Sequence, residues 1–586
     1  HGVRRVLITT DDVEDYKGVD LPRDDAGTVE VWERDRIVEA QEVLAEVEGV
    51  TVLIHDQACA AQARRLRKRH LAPTPTQRVV INHRVCEACG DCGVVSNCLS
   101  VQAIDTPLGV KTTIDQTTCN LDYSCLGGDC PSFMTIEIDP DAPPTDVGAV
   151  EPPNDLPEPT LRVSESELDL RIAGIGGTGV VTAAQVIATA AMLDGFDARG
   201  LDQTGLSQKA GPVTSDIRLR LADAPTSNLL GAGTADVLLA FDLLASVTDR
   251  TLEACRTDHT IAVGSTTRTP TGSMIGHPEI RVPDLATQRA RLDTATATDA
   301  TLLADAGALM EALLGNATTA NTFMIGVAVQ HGALPISSDT LEHAIRLNGV
   351  HVDANLAAFR WGRAWVVDPG SVEGRAAQRR GLEPTVEVDP LPRKCADRVA
   401  ALGLDADDRD IVEMLTADLV AYQNAKYAAR FLDDVERVAA APNGNDTLTL
   451  TTARSLHKLM AYKDEYEVAR LLTAPDAAAA AEAVGGAGAA VTWKLHPPML
   501  KALGRDDKIG VSEKVGRPLM LALAKGKRLR GTRLDPFGAT AMRRTERALV
   551  DEYRCLIADE LTHLDALGAA PSTEQVDAIE AALALP

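Results

Sequence analysis

Short apolar runs at Val6-Leu-Ile-Thr9 and Thr51-Val-Leu-Ile54 flank a helix-periodic stretch between Arg36 and Val47, the pattern of parallel strands joined by a crossover helix. Further on, Leu168-Asp-Leu-Arg-Ile-Ala predicts a strand, and the apolar period through Val180, Ile187 and Leu193 predicts the helix that follows it. Strand-like runs at Val237-Leu-Leu-Ala-Phe and Thr260-Ile-Ala-Val extend this pattern into a doubly wound sheet reaching about residue 369. Beyond that point the period changes. Residues 420–438, 452–473, 518–527 and 540–567 read as helices with few strand signals between them. Ala477 to Ala490, rich in Ala and Gly, reads as a loop or helix edge.

These changes of pattern divide the chain at residues 1–75, 76–139, 140–160, 161–369 and 370–586. Pro and Asp dominate the third segment, which continues neither helix nor sheet and reads as a linker. A length of 586 residues suits about three or four domains. With 45% hydrophobic and 24% charged residues, general disorder is excluded. Lys and Arg number 58 against 84 Asp and Glu, a net charge of -26 that repels phosphate backbones and excludes nucleic acid as a partner. No apolar run approaches the roughly 20 residues that cross a bilayer, and no signal-peptide pattern opens the chain, so no membrane and a cytoplasmic location are expected. The chain starts at His1, directly before its first strand, which predicts that the polypeptide extends upstream. Two basic stretches, Arg64 to Arg69 and Lys525 to Arg533, read as solvated faces.

The cysteines change the picture. Seven of the 11 lie between Cys86 and Cys130, while Cys59, Cys255, Cys395 and Cys555 are scattered. Such clustering points to metal rather than disulfides. Cys86, Cys89 and Cys92 stand at two-residue intervals, followed by Cys98; Cys119 and Cys125 follow, then Cys130 before Pro131. Three thiolates in one tight loop with a distant fourth suit a [4Fe-4S] cluster, and in two-cluster ferredoxins that fourth cysteine crosses over and precedes proline. Cys86, Cys89, Cys92 and Cys130 are thus assigned to one cluster, and Cys98, Cys119 and Cys125 to a second. Asp122 holds the chain position where the second site wants a cysteine. Three readings stay open there: an oxygen ligand to iron, a three-iron rather than four-iron cluster, and a closed fold without metal. Structural zinc is the alternative for the whole region.

A second candidate site follows the strand at Leu168. Gly174, Gly176, Gly177, Thr178 and Gly179 form a glycine loop opening a helix, where backbone N–H groups can meet an anion. Asp202 sits near the place of the acid in a dinucleotide fingerprint, although tight strand-to-helix packing explains such a loop equally. The polar loop through Thr204, Gly205 and Gly211 suggests a site of its own.

Taken together, Cys86-Glu-Ala-Cys-Gly-Asp-Cys-Gly, Asn97-Cys-Leu-Ser-Val, Cys130-Pro-Ser-Phe, Gly174-Ile-Gly-Gly-Thr-Gly-Val-Val-Thr-Ala and Gly211-Pro-Val resemble the indolepyruvate:ferredoxin oxidoreductase family, in its long fused bacterial form. Lys458-Leu-Met-Ala-Tyr-Lys-Asp-Glu-Tyr-Glu-Val-Ala-Arg470 and Leu529-Arg-Gly-Thr-Arg-Leu-Asp-Pro-Phe-Gly538 resemble the helical domain of that form. The resemblance implies a multidomain α/β protein: the end of a thiamine-diphosphate-binding domain at 1–75, a ferredoxin-like iron-sulfur module at 76–139, a γ-type α/β domain at 161–369 and a helical domain at 370–586. It implies CoA-dependent oxidative decarboxylation of an arylpyruvate to acyl-CoA and CO2. Thiamine diphosphate and Mg2+ would be held upstream, on the same polypeptide or a partner chain. Electrons would leave through the clusters to ferredoxin or a similar one-electron acceptor, from a homodimer or higher oligomer. The glycine loop and the Thr204 to Pro212 loop become candidates for cofactor, substrate or CoA contact; no catalytic residue is assigned. Competing readings are a branched-chain or other 2-oxo acid as substrate, an iron-sulfur scaffold subunit without its own substrate site, and a flavin or nicotinamide oxidoreductase using the glycine loop.

Overall fold

The computed structural model describes residues 2–138, 150–153, 155–205, 211–221, 227–277, 280, 282–380, 390–486, 488–496, 508–538, 540–568 and 571–584. By contact the chain divides into two units, His1–Pro75 with Asn120–Asp122, and the remainder. The first unit carries a three-stranded parallel sheet in the order Glu30–Glu33, Val3–Thr10, Val50–Asp56. Helix Ile37–Ala45 buries Ala40 and Leu44 against Leu7, with Trp32 and Leu53 packed beside them. The outer strand, four residues flanked by charges, had no apolar run to announce it. The basic stretch lies on helix Ala60–Lys68, from which Arg67 donates to the Asn120 carbonyl at 2.5 Å.

In the second unit, residues 161–369 are built on a six-stranded sheet in the order Asp197–Gln203, Pro212–Arg220, Glu167–Ile175, Val237–Ala240, Ile261–Ser265, Leu302–Ala304. The last four run parallel; the apolar runs predict the first three of these, and Leu302–Ala304 was not foreseen. Pro212–Arg220 is antiparallel to both of its neighbours and is inserted between Glu167–Ile175 and Asp197–Gln203, so the sheet is mixed rather than uniformly wound. Helices cover it with an apolar core including Phe323, Phe359 and Trp361, all buried. Gly326 and Gly362 let the helices Ala320–Gln330 and Val352–Val367 touch backbone to backbone: a Cβ on either would fall 2.0 Å from a carbonyl oxygen of the other helix. Residues 140–149 and 154 of the expected linker lie outside the described residues. The rest of it lies along this domain, with Trp361 donating to Val150 O at 3.0 Å and Arg363 to Pro157 O at 3.0 Å.

From Arg393 onward helices dominate, and several begin with the side-chain caps that satisfy first-turn N–H groups: Asp405, Asn424, Asn445, Asp464 and Thr540. The low-complexity segment is mostly helix, Pro475–Gly485, burying Ala477 and Ala481. Two strands interrupt the helices. Ala490–Leu495 pairs with Phe133–Glu137 of the cysteine module, and Ile509–Ser512 pairs with Ala490–Leu495, so one sheet runs Ile509–Ser512, Ala490–Leu495, Phe133–Glu137, Gln77–Ile81. Trp493 is 1% exposed in the core beneath it, with Val80, Met134, Ile136, Leu471 and Leu472. Alternating burial of Val491, Trp493 and Leu495 is a period-two signal present in the sequence. Among the described residues no helix is long and apolar enough to cross a membrane.

Candidate functional site

The cysteine module has a small core, and its core is made of thiols. Cys86, Cys92 and Cys125 are buried among Val79, Ile81, Val101, Ile114 and Phe133, with Cys98, Cys119 and Cys130 packed against them, while Cys89 is exposed. Four of these thiols sense one another. Burial, then the charges of Cys130, Cys86 and Cys89, push the Cys92 thiol up to about 11, and burial raises Cys130 as well. The sulfurs also meet donors. The N–H groups of Ala88 and Thr112 each point to Cys86 Sγ at 3.3 Å, and Cys130 Sγ lies 2.9 Å from Ser132 Oγ. Hydrogen bonds of this kind stabilise thiolate charge and set the potential of a thiolate-bound cluster. Among the described residues no three His, Cys, Asp or Glu side chains converge on the point that a single ion would occupy. A cubane holds its thiolates apart on separate irons.

Backbone conformation explains how the loop wraps. Ala88 and Gly90 take φ of 54° and 79°, turning the chain between successive cysteines into helix Asp91–Ser96. The stretch from Cys119 repeats this signature: Leu121 at 56° and Tyr123 at 62° stand at the corresponding chain positions, and a 3-10 turn follows at Ser124–Gly127. Asp122 thus occupies the chain position of Cys89; it is exposed and belongs by contact with the first unit. Gly93 has a separate reason, since a Cβ there would fall 2.6 Å from the Ile275 carbonyl oxygen of helix Gly272–Gly276.

The C-terminal region grips this module through charge. Arg84 binds Asp418 at 2.5 Å and Asp476 at 3.0 Å. Asp418 also receives Arg470 at 2.8 Å and faces His457 at 3.1 Å. Burial opposes its charge, and His457, Arg84 and Arg470 outweigh that, holding the carboxylate well below its ordinary range. Asn82 donates to Leu471 O at 3.1 Å, and Lys111 donates to Cys86 O at 2.9 Å. The two C-terminal signatures meet one another: Arg530 donates to Asp464 at 2.7 Å and lies 3.6 Å over the Tyr422 ring, while Tyr466 donates to Asp535 at 3.2 Å. The basic stretch at 525–533, expected as a solvated face, therefore buries its central arginine, because carboxylate, carbonyl and ring partners all lie within reach. Sequence reasoning missed this grip, whose partners lie more than 300 residues apart.

The glycine loop leads from strand Glu167–Ile175 into helix Val180–Leu193. Gly177 and Gly179 take φ of 92° and 97°, the left-handed region that a Cβ disfavours. Gly174 serves packing, since a Cβ would meet Val180 Cγ2 at 2.8 Å and Phe241 Cβ at 3.2 Å. The structure joins the two loops singled out in the sequence: Gly176 N–H donates to Gly211 O at 2.7 Å. Thr178 turns its hydroxyl back to Ile175 O at 2.7 Å, and Asn321 holds the Thr178 carbonyl at 2.9 Å. Gly177, Thr178 and Gly179 are exposed, and the N-cap Gly179 carries no side chain, so among the described residues the first N–H groups of the helix are left available to an anion. Thr204 and Gly205 are exposed beyond the end of strand Asp197–Gln203, and residues 206–210 of their loop lie outside the described residues.

Two features correct the dinucleotide reading. Asp202 lies on a strand separated from the glycine-loop strand by Pro212–Arg220, whereas the fingerprint acid follows an adjacent strand. Its carboxylate is also engaged by Ser215 Oγ at 2.6 Å. Unforeseen in the sequence is Asp242, just past the end of the neighbouring strand Val237–Ala240: it caps Ala245 N–H at 2.9 Å, and burial pushes its carboxyl up to about 6.

Residues 169–365 match the family described as pyruvate ferredoxin/flavodoxin oxidoreductase, and residues 409–581 match a family of unknown function, DUF6537. The indolepyruvate oxidoreductase subunit IorB of Pyrococcus horikoshii is 27% identical over 201 residues, 33% of this chain and 94% of the relative. That of Methanothermobacter thermautotrophicus is 25% identical over 197 residues, covering 33% and 95%. Among solved structures, the pyruvate oxidoreductase subunit PORC from Thermotoga maritima is 18% identical, with a TM-score of 0.25 over 34% of this chain and 96% of that one. The 2-oxoglutarate:ferredoxin oxidoreductase from Magnetococcus marinus is also 18% identical, with a TM-score of 0.26 over 35% of this chain and 32% of that one.

Proposed function

We propose that this chain, which carries a domain of the pyruvate ferredoxin/flavodoxin oxidoreductase family at residues 169–365, is the electron-transfer and γ-type part of a 2-oxoacid:ferredoxin oxidoreductase of the indolepyruvate type. The observation that carries this reading is the cradle of mutually coupled thiols at Cys86, Cys89, Cys92 and Cys130, in the same contact unit as the family-matched domain. The donor set is soft, partly buried and supplied with N–H···S contacts, which suits iron and sulfide. Cys86, Cys89, Cys92 and Cys130 would hold one [4Fe-4S] cluster, and Cys98, Cys119 and Cys125, with Asp122 at the fourth chain position, a second of three or four irons. Such clusters supply one-electron transfer, while thiamine diphosphate with Mg2+ in the complete enzyme supplies the carbanion chemistry of decarboxylation.

The chain's own residues have distinct tasks in this scheme. The thiolates bind and neutralise the metal charge, and the Ala88 and Thr112 N–H groups stabilise sulfur charge at Cys86. Packing around Phe133 shields Cys86 and Cys92 from water, while Cys89 stays at the surface. The first-turn N–H groups of helix Val180–Leu193, which Gly177 to Gly179 open and Gly211 and Asn321 brace, are placed to receive an anionic group of substrate or CoA. The acyl product passes to CoA, and the electrons pass to ferredoxin or a similar acceptor.

Anaerobic purification of the full chain tests the metal. The expected protein is brown, contains iron and acid-labile sulfide, and bleaches on reduction; a colourless protein with stoichiometric zinc overturns the reading. Cys86→Ser and Cys130→Ser each lose iron, whereas Cys555→Ser does not. With the thiamine-binding part supplied, indolepyruvate and CoA together drive reduction of ferredoxin.

A further inference from the structure

We infer that Lys508, contributed by the C-terminal region, is a buried cation of the iron-sulfur site that favours the reduced clusters over the oxidised and so raises their reduction potential. The inference rests on the iron-sulfur reading above. It starts from the shared sheet. Ala490–Leu495 runs antiparallel along Phe133–Glu137, with Trp493 opposite Met134, and Ile509–Ser512 runs back along it, with Ile509 opposite Leu495. That register carries Lys508, the residue before Ile509, to the end of the sheet where Cys130 leads into Phe133. The same end is fastened from the neighbouring strand, where His496 Nδ1 lies 2.7 Å from Asp129.

The lysine then points inward. Its Nζ lies 4.4 Å over the face of Phe133, a ring buried within the thiol core. That ammonium is shielded from water and makes no hydrogen bond among the described residues. A shielded ammonium with three unused donors is costly unless negative charge faces it, and a ring face answers only a small part of that cost. Burial lowers its pKa, and the anionic groups that oppose this are Cys130, Cys125, Asp91 and Asp129. Two of these are cysteines from the two groups of ligands, so one cation lies within electrostatic range of both. Each electron taken up by a cluster adds negative charge at the thiolates and sulfides, and a fixed cation in a poorly screened interior stabilises that added charge. A purely structural lysine would instead serve to cover Phe133, a task that an uncharged chain of the same length performs equally.

The test is a redox titration of the full chain, purified anaerobically and followed by EPR and visible absorbance, comparing wild type with K508M, K508Q and K508R. The expected result is a more negative midpoint potential in K508M and K508Q with iron and sulfide content unchanged, and a near wild-type potential in K508R. Loss of iron in both neutral variants with full loading in K508R also supports a requirement for the charge. An unmoved potential in iron-replete K508M overturns the inference and leaves the functional reading standing. Loss of iron in K508R as well as the neutral variants overturns it in favour of a shape requirement. A wild-type protein without iron and sulfide overturns this inference together with the reading beneath it.

Discussion

The glycine loop of the γ-type domain and the cysteine loops turn through left-handed backbone by opposite means. At Gly177 and Gly179 the φ angles of 92° and 97° fall on residues without a Cβ, and the turn closes on local partners, Thr178 to Ile175 and Gly176 to Gly211. In the cysteine stretches Gly90 at 79° does the same, but positive φ angles fall also on residues with a Cβ, Ala88, Asn97, Leu121 and Tyr123, at 54°, 45°, 56° and 62°. Each costs on the order of 1–2 kcal/mol and persists only where the surroundings leave no alternative. Around the thiols much of those surroundings comes from elsewhere in the sequence: the strand Ala490–Leu495, the carboxylates Asp418 and Asp476, and the ammonium of Lys508. A loop whose positions are given over to ligands takes its rigidity from outside, while a loop that needs only open N–H groups supplies its own.

That contrast breaks most visibly at Asp418. Asp418→Ala removes the buried carboxylate that Arg84, Arg470 and His457 share, leaving Arg84 only Asp476 and Arg470 only Glu467 among the described residues. Removing one partner of a buried ion pair costs about 3–5 kcal/mol, and Asp418→Ala is expected to lower stability by that amount, read by urea unfolding. Limited proteolysis of the variant should open residues 76–138 before 161–369, because the γ-type sheet has a core that does not depend on this carboxylate. Simultaneous opening of both regions would show that the cysteine module does not rely on the grip.

How much of this was legible follows from where the partners lie. Cys86, Cys89 and Cys92 stand out in the sequence by their spacing, and Gly177 and Gly179 because a strand, a sharp turn and a helix are adjacent in the chain. Three of the six γ-type strands were readable as apolar runs, but Asp197–Gln203, Pro212–Arg220 and Leu302–Ala304 were not, nor was the insertion of Pro212–Arg220 between two strands that a helix connects, since pairing order is a long-range property. The same limit hid Arg84 with Asp418 and Asp464 with Arg530: each is an ordinary charge until a residue far along the chain arrives. The strand Ala490–Leu495 was hidden differently, a period-two signal beside an Ala-rich segment and read past.

A second buried carboxylate in the γ-type domain sharpens the comparison. Asp418 is paired with cations; Asp242 has only backbone N–H groups, and burial raises its carboxyl from 3.8 to about 6. Its unfolded form ionises first as pH rises, so the native state loses stability between about pH 4 and pH 6 and regains none above. Asp242→Asn removes that loss, and its stability relative to wild type should rise by about 2–3 kcal/mol between pH 4 and pH 7. The opposite sign holds at Asp418, where the folded carboxyl lies below its ordinary value. Its contribution is present above about pH 4 and fades only as pH falls further. Urea titrations at several pH values check both, and a pH-independent Asp242→Asn difference would remove this distinction between the regions.

The smallest effect probes the loops themselves. Ala88→Gly relieves a left-handed alanine, about 1–2 kcal/mol, against about 0.5–1 kcal/mol lost to the freedom of glycine in the unfolded chain. A net gain of about 0.5–1 kcal/mol is expected, and the Ala88 N–H retains its place beside Cys86 Sγ because glycine keeps that donor. Gly177→Ala runs the other way, placing a Cβ on φ of 92° and costing at least about 1 kcal/mol. If the two substitutions share one sign in thermal unfolding, the strain is not distributed as the backbone angles indicate. Opposite signs place the strain at the cysteine loop, where distant supports hold the chain.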